Sequence, residues 1–176
     1  LLPVVTIIIM ETFLAKMRRL QGVRKVLLLE EAWKAIAKEG MASYVKYLYK
    51  TVRKYFGEAI VVTQEVEDII SSPIVKESII NNADCKILLD QRKYRNKFDQ
   101  IQTLLGLTDK ERAQVLSINL SNDPACRYKE VFISLGGVQS AVYATEVSDE
   151  EYLAFTTEQT EKMLSLIHIS EPTRPY

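Results

Sequence analysis

The chain is poor in residue types that many functional classes require. Its 176 residues include only six glycines, two cysteines and one histidine. No glycine is followed by lysine, so the GxxxxGK[ST] loop that cradles nucleotide phosphates is absent from the sequence. The cysteines, Cys85 and Cys126, fit no CxxC spacing. Neither a zinc site nor a disulfide framework is therefore indicated, and a reducing cytosol is the default.

Long apolar runs and an excess of one charge are also lacking. The 23 basic and 23 acidic side chains balance, which removes any bulk electrostatic argument for nucleic acid or a membrane surface. The apolar opening from Leu1 to Met10 ends at Glu11, is too short to span a bilayer and has no basic leader. The length of 176 residues suits one domain, and a hydrophobic content of 47% excludes a disordered chain. Its start at Leu1 suggests a piece of a longer protein.

The last thirteen residues, Leu164 to Tyr176, differ in character from the rest and contain the only histidine. They resemble the in-frame translation of a transposase-based sequencing adapter, with codons that match from Leu164 to Arg174. A short natural tail is the alternative. We expect residues 1–163 to form the domain, and we exclude 164–176 from the fold prediction. An independent clone of the gene should diverge after Met163, and recovery of the tail without library adapters would contradict this.

Residues 1–163 alternate between strand-like and helical patterns. Two continuous apolar runs, Val26–Leu29 and Ala59–Val62, are typical of strands buried on both faces of a parallel sheet. Cys85–Leu89 is predicted to be a third buried strand. A long helix, closed by Gly57, is predicted from one apolar stripe: Met41, Val45, Leu48, Val52 and Tyr55. This alternation predicts an α/β fold with a mainly parallel sheet flanked by helices.

The remaining segments carry clear boundary signals. Helices are predicted over about residues 4–19, 69–80 and 98–105, and after the capping boxes that begin at Thr108 and Ser148. Residues 128–145, with Gly136-Gly137 between two β-rich runs, predict a β-hairpin. The second part of the domain is therefore expected to contain a hairpin followed by a helix.

Candidate chemistry lies at the carboxyl ends of the first two strands, where sites of such sheets are found. Glu30 and Glu31 end the first strand, and an ATPase needs one carboxylate to hold Mg²⁺ through its water shell and a second to orient the attacking water. Their alternative role is to stabilise the start of the next helix. Gln64, after the second strand, can hydrogen-bond a γ-phosphate, although Thr-Gln is also ordinary loop sequence.

Two groups of cations are further candidates. Arg53 lies eleven positions before Gln64, at the end of the long helix, where it can reach a phosphate bound to a neighbouring subunit; a solvated helix end is the alternative. The run from Arg92 to Lys97 includes Arg92, Lys93 and Arg95 as candidate nucleic-acid contacts. Such a run is more often a solvated face.

Taken in order, these segments resemble the TraG-type conjugation ATPases of conjugative transposons, which belong to the cytoplasmic ATPases of type IV secretion. The resemblance is carried by four segments: Lys25–Lys34, Thr51–Lys54, Val61–Gln64 and Cys85–Leu89. It covers residues 1–163 and implies a RecA-like fold, of which this chain is the C-terminal portion without the upstream Walker A part. The implied activity is ATP hydrolysis, with ATP and Mg²⁺ as ligands in the full-length parent and an inactive isolated fragment.

The resemblance also implies roles and partners. Glu30 takes the Walker B position, which is more usually Asp; Glu31 activates water, Gln64 senses the phosphate, and Arg53 is the finger that enters a neighbour's site. The implied parent is a homo-oligomer, in the form of a hexamer, that acts with other type IV secretion components at the inner face of the membrane and meets DNA only indirectly. Two alternatives remain: a non-catalytic interaction module, and a DNA-contacting channel component that uses Arg92 to Lys97.

Overall fold

The computed structural model describes residues 2–30, 39–64, 79–120 and 128–156, together with Gln159 and Met163. Two groups of elements result, one in residues 2–64, called the first half below, and one in residues 79–156, called the second half. The predicted helix over residues 69–80 lies outside the described residues except for Ile79 and Ile80, and the tail from Leu164 lies wholly outside them.

The first half contains the parallel part of the fold. Its elements are helix α1 (Leu2–Arg19), strand β1 (Lys25–Glu30), helix α2 (Glu39–Thr51), a 3-10 turn (Val52–Tyr55) and strand β2 (Gly57–Val62). Strands β1 and β2 pair in parallel, in a register that runs from Lys25 opposite Gly57 to Glu30 opposite Val62. The predicted helices and the parallel pairing are thereby confirmed. No helix in the described part of the chain is both long and apolar enough to cross a membrane.

The core of the first half lies on one face of β1 and β2. Side chains from α1, β1, α2 and the 3-10 turn form it, together with Ile79, the first described residue of the second half: Met10, Leu14, Met17, Leu29, Val45, Leu48, Val52 and Ile79. The predicted stripe on α2 is confirmed at Val45 and Leu48, which are fully buried. Their spacing continues into the 3-10 turn at Val52, so the helix tightens without changing its buried face.

The prediction that β1 and β2 are buried on both faces is wrong for the described structure. Along both strands, burial alternates from residue to residue. Leu29 is 9% exposed whereas its neighbour Leu28 is 57% exposed, and Ile60 and Val62 on β2 are exposed as well. An apolar run shows that a strand tolerates burial on both sides, but the packing partners decide whether it occurs.

The end of the long helix also differs from the prediction. Phe56, with a φ of 54°, takes the left-handed conformation that stops the turn, and Gly57 is the first residue of β2. Gly57 is needed for space instead: a Cβ there would lie 2.6 Å from Cγ2 of Val52 and 3.0 Å from Sδ of Met17. The glycine thus permits the close approach of β2 to α1 and the 3-10 turn.

The second half is built on antiparallel pairing. It contains β3 (Cys85–Leu88), a 3-10 helix (Arg92–Lys97), α3 (Phe98–Leu105), α4 (Asp109–Ser117), β4 (Tyr128–Leu135), β5 (Gln139–Glu146) and α5 (Asp149–Phe155). Strand β3 pairs antiparallel with β4, which pairs with β5. The α/β class holds, but the third predicted strand is not a buried strand beside β1 and β2: Ile87 is exposed, and β3 pairs with β4 of the hairpin.

Local signals in the second half are confirmed. Gly136 and Gly137 take positive φ values of 56° and 68° in the predicted hairpin turn. Both capping boxes are complete, at Thr108 with Glu111 and at Ser148 with Glu151. The helices and the hairpin enclose a separate core: Phe98, Ile101, Leu107, Val115, Ile118 and Phe132.

Candidate nucleotide-site edge

The carboxyl ends of β1 and β2 bring two predicted site segments to the same edge of the sheet. Glu30, the last residue of β1, is exposed and stands in register with Val62, the last residue of β2. Gln64 follows two residues later and is exposed. Glu31 lies outside the described residues. The parallel register therefore places Glu30 and the segment that carries Gln64 next to each other, as expected for strand-end chemistry.

The opposite, amino end of these strands is closed by intramolecular bonds. The Lys25 ammonium group donates hydrogen bonds to the carbonyl oxygens of Tyr55, at 2.7 Å, and Met17, at 3.3 Å. Arg24, just before β1, donates from Nε and Nη2 to Oε1 of Glu58 on β2, at 3.0 and 2.5 Å. Polar groups at this end are therefore engaged with one another, whereas Glu30 and Gln64 project at the other end.

Arg53 occupies the middle of the 3-10 turn that ends the long helix. Its side chain is 90% exposed, and Nη1 lies 4.0 Å from Oδ2 of Asp84, which is 86% exposed. The backbone carbonyl of Asp84 accepts a hydrogen bond from the Gly136 amide at 2.6 Å, which ties this residue to the hairpin turn. At such distance and exposure the ion pair holds the guanidinium only weakly.

The basic run beside β3 forms the 3-10 helix Arg92–Lys97, and its first cation is already paired. Asp90 accepts hydrogen bonds from Arg92 at the backbone amide, at Nε and at Nη2, with distances between 2.5 and 3.0 Å. The hydrogen bond from the Arg92 side chain is the main reason why the pKa of Asp90 lies below its ordinary value. Arg92 is therefore less available to a nucleic acid than the sequence suggested.

The other two candidates in this run differ from Arg92. The ammonium group of Lys93 lies 4.7 Å from the ring centroid of Tyr94, which is a cation–π distance. Arg95 is exposed. The described structure thus brings Lys93 and Arg95 to the surface of one short helix, but Arg53 and Glu30 belong to other elements.

Sequence reasoning missed the polar residues that fix the segment around this 3-10 helix. Asn119, with a φ of 57°, donates its amide to Oε2 of Glu130 at 2.7 Å and accepts from the Glu130 amide at 3.0 Å. A hydrogen bond from Asn119 also contributes to the low pKa of Asp90. An asparagine after a helix is a known signal for the left-handed conformation, but its partners in β4 are remote in sequence.

In the parts of the chain that the structure describes, no three His, Cys, Asp or Glu side chains converge as metal ligands.

The family model of the TraG P-loop domain matches residues 1–172 of the chain. This match passes the boundary predicted at Met163 and covers nearly the whole sequence. No curated protein matches the chain.

Among solved structures, the chain is similar to the structure of VirB4 of Thermoanaerobacter pseudethanolicus. The identity is 24%, the TM-score is 0.54, and the match covers 77% of this chain and 34% of that one. The chain therefore shares the fold of about a third of that protein's length.

Proposed function

Because the chain belongs to the TraG P-loop domain family, we propose that its parent protein is an ATPase that powers a conjugation or type IV secretion machine. The observation that supports this most is the parallel pair β1–β2, which ends with Glu30 beside the segment of Gln64. The fold similarity to a VirB4 structure agrees with a motor of this kind.

We assign four roles within this proposal. Glu30 holds the water shell of Mg²⁺, and Glu31 orients the water that attacks the γ-phosphate. Gln64 hydrogen-bonds the γ-phosphate and senses its presence. Arg53, exposed in the 3-10 turn, reaches the phosphates bound to a neighbouring subunit, where a guanidinium stabilises the charge of the transition state.

A finger that acts in a neighbour's site requires an adjacent subunit, and we propose a homohexamer. Its partners are other components of the secretion or conjugation system, and its place is the inner face of the cell membrane. The coupled task is assembly or operation of the DNA-transfer channel. We expect contact with DNA to be indirect, since Arg92 is engaged by Asp90 and only part of the basic run remains available.

ATP hydrolysis by the purified parent, with Glu31→Gln and Gln64→Ala as variants, tests the proposal. Both variants should still bind Mg-ATP but lose most turnover, because they lack the groups that act on the attacking water and the γ-phosphate. Glu150→Gln, on the exposed start of α5, is the matched control for the charge change and should hydrolyse ATP like the wild type. Wild-type turnover in Glu31→Gln would contradict the assigned role.

For residues 1–163 without the rest of the parent protein, we expect no nucleotide binding. The sequence lacks the glycine-rich loop, whose amides and lysine provide the positive groups that face a triphosphate. Residues 1–163 should therefore show no binding of Mg-ATP in calorimetry. Saturable micromolar binding would mean that these residues hold a complete nucleotide site.

The competing function is a non-catalytic interaction module of the same machine. Residues encoded upstream of Leu1 in the parent gene discriminate between the two: a GxxxxGK[ST] loop there supports the ATPase, and its absence supports the module.

A further inference from the structure

A hydrogen bond joins the second half of the chain to the proposed phosphate sensor. The hydroxyl of Tyr94 donates to the backbone carbonyl of Gln64 across 3.5 Å, although the two residues are thirty positions apart. Tyr94 lies on the basic 3-10 helix, whereas Gln64 follows β2. The contact therefore bridges the two halves at the edge where we place the nucleotide.

The Tyr94 side chain is held on its own side of this bridge. Its ring packs against the core of the second half, which includes Phe98 and Phe132. Its amide donates to the carbonyl of Gln91 at 2.9 Å, and Lys93 covers the ring face at 4.7 Å. A tyrosine fixed in this way offers its hydroxyl from a defined position, because few rotamers remain accessible to a packed ring.

The 3-10 helix that carries Tyr94 is in turn fixed at its start. Asp90 accepts three hydrogen bonds from the side chain of Arg92 and one from its backbone amide. Asn119, which exchanges two hydrogen bonds with Glu130 of β4, also contributes to the low pKa of Asp90. The 3-10 helix that carries Tyr94 is thus held by contacts within the second half.

We propose that Tyr94 is a positioning residue for the phosphate sensor, and that it fixes the backbone at Gln64 so that the side-chain amide points toward the bound nucleotide. This inference rests on the sensor role proposed for Gln64. A sensor amide must be placed within hydrogen-bond distance of its phosphate oxygen, so loss of the anchor should slow the chemical step more than it weakens nucleotide binding.

Tyr94→Phe in the full-length parent tests the inference, because it keeps the packed ring and removes the hydroxyl. The kcat for ATP hydrolysis should fall about threefold to tenfold, as expected for one hydrogen bond, while the KM for ATP stays within about twofold. Tyr143→Phe removes a hydroxyl from an exposed tyrosine on β5 and should leave both constants unchanged.

Hydrogen exchange gives a readout that does not need catalysis. In Tyr94→Phe, backbone amides in a peptide that covers Thr63 and Gln64 should exchange about threefold to tenfold faster, while peptides from β1 keep the wild-type rate. Unchanged exchange in this peptide, or an unchanged kcat in a parent that hydrolyses ATP, would overturn the inference. If the wild-type parent hydrolyses no ATP, the proposed function fails, and the exchange rates alone decide whether Tyr94 anchors Gln64.

Discussion

The two halves of the chain differ in how their apolar residues are buried and in how their charged residues are paired. In the first half, one face of β1 and β2 is packed while alternate residues such as Leu28 stay exposed. Glu30 and Gln64 are exposed at the site edge, and Arg53, in the turn before β2, is held only by a weak ion pair. In the second half, carboxylates are matched internally: Asp90 with Arg92, and Glu130 with Asn119.

This difference separates groups that stabilise the fold from groups that can act on a ligand. A charge with a good internal partner has little left to offer a ligand, because binding must first break that interaction. Glu30, Gln64 and Arg53 are exposed side chains of the first half, and none of them has a strong internal partner among the bonds described above. The second half, with its capping boxes and hairpin, serves as the support for that edge.

The largest expected effect concerns Arg53. In the full-length parent, Arg53→Ala should leave ATP binding nearly intact and reduce turnover by a factor on the order of 10³, because the finger stabilises charge only in the transition state. Since the finger acts in a neighbouring subunit, mixing this variant with Glu31→Gln should restore activity at some interfaces.

Asp84→Asn is the control that separates the finger from the ion pair. It breaks the 4.0 Å pair with Arg53 and keeps the guanidinium, so turnover should stay close to that of the wild type. An equal loss in Asp84→Asn, or a mixture no more active than either parent variant, would make Arg53 an ordinary surface arginine.

The one-sided burial of β1 predicts a large difference between adjacent leucines. Leu29→Ala should destabilise the chain by about 2–4 kcal/mol, because it leaves a cavity in the core. Leu28→Ala, at a side chain that is 57% exposed, should cost less than about 1 kcal/mol. Urea unfolding of the two variants measures both values, and equal costs would show that the outer face of β1 is packed.

Local sequence signals were reliable where neighbouring residues decide the structure. The capping boxes at Thr108 and Ser148 and the glycine turn at Gly136 formed as predicted, since their partners lie within a few positions. Burial on both faces of β1 was not predictable from its apolar run, because that depends on which segments cover the strand. The antiparallel pairing of β3 with β4 was not predictable for the same reason, because it depends on contacts between segments that are distant in sequence.

In the candidate site, too, some features were predictable from the sequence and others depend on the fold. Glu30 and the segment of Gln64 could be brought together from sequence, since parallel strands end at one edge. Arg92 and Asp90 are only two positions apart, but the sequence does not predict their ion pair, because an acidic side chain before a basic run can point in any direction. The contact between Tyr94 and Gln64 required the fold itself.

The buried capping box predicts an effect of pH on the second half. Glu111 accepts from the Thr108 amide at 2.8 Å and from the Ser134 hydroxyl at 3.4 Å, and its residue is 9% exposed. The hydrogen bond from the Thr108 backbone is the largest cause that lowers the pKa of Glu111 below 4.5. Its contribution to stability is therefore fully present above about pH 4.5 and is lost as the pH falls through the lower folded value.

Glu111→Gln keeps a capping side chain but removes the charge. We expect it to lower the free energy of unfolding by about 1 kcal/mol at pH 7 and to weaken the loss of stability below pH 4.5. Glu151→Gln makes the same change in the capping box of α5, where the glutamate is exposed, and should cost only a few tenths of a kcal/mol. If the free energy of unfolding depends on pH in the same way in the wild type and in Glu111→Gln, the Glu111 carboxylate is not the cause of the stability loss at low pH.

The smallest expected effect is at the amino end of β1 and β2. Arg24 and Glu58 form a two-pronged ion pair, but their side chains are 77% and 45% exposed, so water competes for both. A double-mutant cycle with Arg24→Gln and Glu58→Gln should give a coupling below about 1 kcal/mol that fades in about 1 M salt. In the second half, Arg112 bonds Asp99 and the Gln102 amide oxygen and lies over the Phe98 ring. Its side chain is 35% exposed although that of Asp99 is 78% exposed, so the cycle of Arg112 with Asp99 should give a slightly larger coupling that salt weakens less. Equal coupling energies for the two pairs would mean that the additional contacts of Arg112 do not strengthen its ion pair with Asp99.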